Sequence, residues 1–134
     1  FVCCDDVCAG CLGNVDAVRS WVASGADINV VDESGNTPLM WASRWLHSEC
    51  VAEMLRLGAD ARRVDNNGMT ALHWVAEGAD GGGDGGGVVR QLVAAGCGAA
   101  MRDHRGRTAV ELARADRGAE WATVIEGWVA AAMA

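Results

Sequence analysis

Three stretches of this chain superimpose on one another. "DESGNTPLMWAS" starts at Asp32, "DNNGMTALHWVA" at Asp65 and "DHRGRTAVELAR" at Asp103. Each reads Asp-x-x-Gly-x-Thr-(Pro or Ala)-(Leu or Val), followed by an apolar run. A second set of markers, "GADIN" at Gly25, "GADAR" at Gly58 and "GCGAA" at Gly96, agrees with the first. In both sets 33 residues separate the first two members and 38 the last two. The difference is a five-residue insertion between Thr70 and Gly96, the interval that holds "EGADGGGDGGGVV" at 77–89. A fixed period of this length constrains the fold strongly. Each unit is one supersecondary element that must bury its apolar face against its neighbours, so the chain is a row of units rather than a shell around one centre.

The content of a unit follows from local chemistry. Thr37, Thr70 and Thr108 stand where a hydroxyl accepts from the first free amides of a helix, and Pro38 follows where a missing N–H does no harm. Leu39, Trp41 and Ala42, then Leu72, Trp74 and Val75, repeat one buried helical face. A second helix follows over 48–58, with Val51, Met54 and Leu55 at spacings of three and four and Gly58 as its stop. Residues 88–96 repeat this with Val89, Leu92, Val93 and Gly96. Asp-x-x-Gly then makes a tight projecting turn.

This pattern resembles the ankyrin repeat family, most specifically in "GNTPLMWA" and "GMTALHWVA". The resemblance covers essentially the whole chain. It implies an all-α fold: an ankyrin-repeat solenoid of stacked helix-turn-helix units with short β-hairpin or turn fingers. The units are a partial N-terminal repeat (1–31), repeats at 32–64 and 65–102, the latter with the glycine-rich insertion near 78–87, and a C-terminal capping repeat (103–134). In the last unit Glu111 replaces the family's histidine, and polar substitution suits a terminal repeat on which nothing stacks.

Composition narrows the function. The net charge is −7, all 11 basic residues are arginine, and no segment forms the dense basic stripe that nucleic acid requires. No apolar run approaches the ~20 residues of a membrane span, and the start does not read as a signal peptide. Four of the six cysteines fall within the first eleven residues, which does not suit a disulfide-stapled secreted domain. An intracellular, cytoplasmic home is expected. The chain starts at Phe1 rather than Met, which leaves open whether it is a fragment of something longer.

Candidate chemistry is sparse. Cys4, Cys8 and Cys11 have a spacing known from iron–sulfur loops, and Cys3 would have to complete a zinc site. Adjacent cysteines chelate one ion awkwardly, and cysteine also packs as a small hydrophobe. No metal and no cofactor are expected. His47, His73 and His104 form no catalytic set; in the ankyrin family a histidine at the position of His73 is a structural hydrogen-bonder beside the threonine. The glycine tract has neither the lysine of a phosphate loop nor the carboxylates of a calcium loop, and reads as an elongated turn, which the ankyrin resemblance implies lies away from the finger tips and the binding groove. Trp21, Trp121 and Trp128 read as packing residues. Trp45 reads either as an exposed interface residue beside Arg44 or as cover for the turn at Leu46, where the family prefers glycine.

The resemblance implies a non-catalytic module that binds a partner protein or peptide through a concave surface of finger tips and first helices, with no nucleic acid, membrane or small-molecule substrate. Carried onto this chain, the contact positions are Glu33, Ser34, Asn36, Arg44 and Trp45 in one unit, Asn66, Asn67, Met69 and Glu77 in the next, and His104, Arg105 and Arg107 in the last. A partner carboxylate is expected near Arg105 and Arg107, with an apolar side chain against Trp45 or Met69. Two other roles stay open: a regulatory or targeting segment of a larger enzyme of the kinase or ubiquitin ligase type, and a cysteine-rich metal or redox site at the amino terminus.

Overall fold

The structure is a computed structural model that describes residues 15–78 and 85–133. The N-terminal cysteine cluster and residues 79–84 of the glycine tract lie outside the described residues. Among those described there are seven helices and no strand: α1 (Val15–Ala23), α2 (Pro38–Arg44), α3 (Ser48–Arg56), α4 (Ala71–Ala76), α5 (Gly85–Ala94), α6 (Ala109–Arg117) and α7 (Ala119–Met133). They stack in two rows. One row is α2, α4 and α6; the other is α1, α3, α5 and α7; each first helix packs on the second helix that follows it.

Local chemistry sets both ends of the helices. The hydroxyls of Thr37, Thr70 and Thr108 accept from the amides of Met40, His73 and Glu111 at 3.4, 3.4 and 3.3 Å, and Pro38 opens α2. At the end of α3 the Gly58 and Ala59 amides donate back to Leu55 and Met54, with Gly58 at φ +101°. Gly96 and Cys97 repeat this on α5, with Gly96 at φ +100°. A left-handed residue reverses the chain there, and glycine adopts it without a Cβ clash. α2 ends by the same bonding, but the reversing residue is Leu46 at φ 60°, the one non-glycine with positive φ among the described residues.

The buried faces interlock between units. Leu39 and Ala42 of α2, Leu72 and Val75 of α4 and Leu112 and Ala113 of α6 fill one row. Val18, Val51, Met54, Val88, Val89, Leu92, Ala122 and Ile125 fill the other. Burying each of the larger side chains contributes roughly 1.5–3 kcal/mol. Cys50 and Cys97 are buried thiols that form no disulfide among the described residues, and burial pushes the Cys97 thiol up. Between α1 and α3 the buried Glu53 accepts from both Arg19 and Arg56, at 2.9 Å and 2.6 Å, and these two guanidiniums, Arg56 first, hold its carboxyl at about 2.

Three expectations are corrected. The second helix after the glycine tract starts at Gly85, not at residue 88, and ends at Ala94. Gly85 and Gly87 are buried, and a Cβ on Gly85 would lie 2.3 Å from the Trp128 ring. The end of the tract is therefore a packing surface rather than plain turn: without side chains, the first turn of α5 lets the Trp128 indole lie against the backbone. Trp128 in turn meets Trp121 edge to face, with centroids 5.6 Å apart. Finally, Trp41 and Trp74 are only half-buried. Their indole N–H groups donate to Asp32 and Asp65 at 3.4 and 3.2 Å, so each ring leans back over the finger of its own unit, and Trp74 also packs against the edge of the core.

Candidate interaction surface

The three fingers share one bonding scheme. In each, one oxygen of the leading aspartate accepts two backbone amides: Ser34 and Asn36 on Asp32, Asn67 and Met69 on Asp65, Arg105 and Arg107 on Asp103. The second oxygen holds Trp41 or Trp74, and in the last unit Arg107 Nε takes over at 3.3 Å. That aspartate is therefore a structural hub rather than a free acid. Successive fingers are also joined, Asn66 N–H to the Ser34 carbonyl and His104 N–H to the Asn67 carbonyl, both at 2.9 Å. The approach is close enough to require glycine at Gly35 and Gly68, both at positive φ, with Asn66 and His104 lying where a Cβ would be. His73 ties units together from beneath. The Thr70 amide donates to its Nδ1, so Nε2–H donates to the Arg107 carbonyl at 2.8 Å, 34 residues away.

On this frame the contact positions read from the sequence separate into groups. Asn36 and Arg44 line a crevice of about 10 Å³ together with Met40, Trp41 and Trp74. The Arg44 guanidinium stands 5.8, 5.8 and 5.4 Å from the ring centroids of Trp41, Trp45 and Trp74. Trp45 is 40 % exposed. Asn67, Met69, His104, Arg105 and Arg107 come together with Asp103 in a groove of about 250 Å³ between the last two fingers. Glu33 and Ser34 lie exposed on the first finger, where the Glu33 carbonyl accepts from the Asn66 side chain at 3.1 Å.

Several of these residues are less available than their positions suggest. Asn36 and Met69 are buried, at 7 % and 8 % exposure, because the leg of the finger that leads into the helix folds under its neighbours. Met69 therefore offers little apolar surface to a partner. Arg107 is engaged by Asp103 at 3.2 Å and Asp116 at 3.6 Å, which leaves Arg105 as the exposed guanidinium of that groove. Glu77 is pushed up to about 7, by burial first and then by the hydrogen bond and repulsion of Asp116, against the pull of Arg107 and Arg117. No local sequence pattern announces that carboxyl pair. Trp41 and Trp74 were also missed as surface residues, although an aspartate nine residues before a tryptophan recurs in both units.

Comparison with known proteins agrees with this architecture. The family model for ankyrin repeats, in three copies, matches residues 7–84, more than half of the chain. The chain belongs to the ankyrin repeat family. The match ends inside the glycine tract, and beyond it the finger at Asp103, the Thr108 cap and the α6–α7 pair continue the same plan. No curated protein matches the chain. No helix among the described residues is long and apolar enough to cross a membrane. Ankyrin repeats are in general protein-interaction modules, and no catalytic family was identified.

Proposed function

We propose that this ankyrin stack is a non-catalytic module that binds a partner protein or peptide along the face made by its finger tips and first helices. One observation carries the reading: Trp45, an exposed indole, stands beside the half-buried Arg44 on the first-helix row. Tryptophan and arginine held together in a partly desolvated position have the composition of residues that dominate binding energy. The groove at Asn67, His104 and Arg105 extends the same strip by one finger pair and adds a cationic end. Within this reading the units are those at 1–31, 32–64, 65–102 and 103–134, with the last as a cap.

The test is affinity capture followed by mass spectrometry, comparing the chain with its Trp45→Ala/Arg105→Ala double variant. A partner retained by the chain and lost by the variant, with the circular dichroism of both unchanged, is the expected result. Equal retention by both places binding elsewhere.

A further inference from the structure

We infer that Arg44 is a receptor for a single carboxylate, and that the partner of this surface is a peptide segment carrying one aspartate or glutamate opposite it. The inference deepens the interaction reading above and rests on it.

The geometry starts from what holds Arg44. Three indoles surround its guanidinium within 5.8 Å, which is attractive for a cation at their π faces. Two of those rings are themselves fixed, Trp41 by Asp32 and Trp74 by Asp65. The fingers thus set the position of the guanidinium through the tryptophans. Indole faces, however, satisfy none of its N–H donors. Among the described residues no carboxylate reaches ion-pair distance of Arg44, whereas Arg19, Arg56, Arg102, Arg107 and Arg114 all have one. Arg62, Arg63, Arg90 and Arg105 have no such carboxylate either, but they are exposed to water, whereas Arg44 is half-buried among three indoles. A guanidinium whose fork is unused and whose orientation is set beforehand recognises a planar, bidentate anion with little further ordering.

Charge selects among oxyanions. One guanidinium matches the single charge of a carboxylate. A phosphate dianion calls for more cations than the crevice provides, in a chain that already carries −7. A second observation points to a peptide rather than a free acid. Asn36 lines the same crevice, and its buried Oδ1 has no hydrogen-bond donor among the described residues. A crevice of about 10 Å³ admits only one small donor group, which a backbone N–H beside the acidic residue supplies.

The test is selection of a random dodecapeptide display library on the purified chain and on its Arg44→Gln variant. The chain is expected to enrich peptides with an aspartate or glutamate at one fixed position, and the variant to lose that acid while keeping the apolar residue that meets Trp45. For one selected peptide, replacing the acid by its amide should weaken binding about tenfold to a hundredfold to the chain and scarcely at all to Arg44→Gln. Arg44→Lys, which keeps the charge without the fork, should fall between. Phosphoserine in place of the acid should bind more weakly. An acidic position retained by Arg44→Gln, enrichment without any acidic position, or tighter binding of phosphoserine overturns the inference and leaves the interaction reading standing. No enrichment at all, from a chain whose circular dichroism shows it folded, overturns both.

Discussion

Replacing Gly85 with alanine tests whether the end of the glycine tract, from Gly85 onward, is a packing surface. In an exposed helix interior the change stabilises, because alanine is the better helix former by about 1 kcal/mol. Gly85 is the first residue of α5, where that gain is smaller, and its new Cβ would sit 2.3 Å from Cη2 of Trp128 and 2.4 Å from Cζ3. Real Cβ contacts do not approach so closely, so the indole must move. It would then leave the backbone of α5 and disturb its edge-to-face contact with Trp121. Overpacking of this kind costs about 1–3 kcal/mol. Gly127→Ala is the internal control: it lies within α7 and a Cβ there meets nothing within 4 Å among the described residues. We expect Gly127→Ala to stabilise by about 1 kcal/mol and Gly85→Ala to destabilise by about 1–2 kcal/mol. Urea unfolding followed by circular dichroism and tryptophan fluorescence measures both. At a slope of about 2 kcal/mol per molar urea, the two midpoints should separate by roughly 1 M or more, in opposite directions from the parent. Equal stabilisation by the two substitutions would refute the packing argument for residues 85–87.

Three further outcomes follow from particular contacts. At Leu46, 2 % exposed and at φ 60°, glycine relieves the left-handed backbone while alanine does not; both lose a buried side chain at about 2–5 kcal/mol, but Leu46→Gly should remain the more stable by about 1 kcal/mol in the same urea assay. Glu77 has its carboxyl raised from 4.5 to about 7. Between those values the unfolded chain ionises before the folded one, so this group's contribution to stability is fully present below 4.5 and declines as pH rises through 7; Glu77→Gln should flatten that part of the stability profile, and an unchanged slope would remove Glu77 as its source. Glu53 has the opposite sign: lowered from 4.5 to about 2, its contribution is present above 4.5 and is lost as pH falls through 2. Arg19→Gln and Arg56→Gln together should make the acid transition shallower, read by circular dichroism between pH 5 and about 2.

The parts of this fold that were legible in the sequence are those set by local chemistry. A threonine cap and a reversing glycine act within four residues, so Thr37, Thr70, Thr108, Gly58 and Gly96 announce helix ends wherever they recur. The stack followed from their period. What stayed hidden depends on partners far along the chain. Glycine is a poor helix former, so residues 85–87 read as turn; tertiary packing of Trp128 outweighs that preference. Glu77 and Asp116 lie in different units, with no local pattern to couple them. The half-exposure of Trp41 and Trp74 was recoverable in principle, because the aspartate that holds each ring precedes it by the same nine residues. At the candidate surface the positions of Arg44, Trp45 and Arg105 follow from helix and turn register. The commitment of Arg107 to Asp103 and Asp116, and the burial of Met69, required the neighbouring finger and helix to be in place.

A partner received on the proposed face, fingers and first helices, would touch one row of the stack and not the other. The tryptophans divide by row, with Trp41, Trp45 and Trp74 on the first-helix side and Trp21, Trp121 and Trp128 on second helices. A proton–nitrogen correlation spectrum resolves their indole N–H groups and can be followed while a library-selected peptide is added. Shifts are expected at Trp41, Trp45 and Trp74 and at the finger amides of Asn67 and Arg105, with the other three indoles unmoved. Shifts confined to Trp21, Trp121 and Trp128 would contradict it.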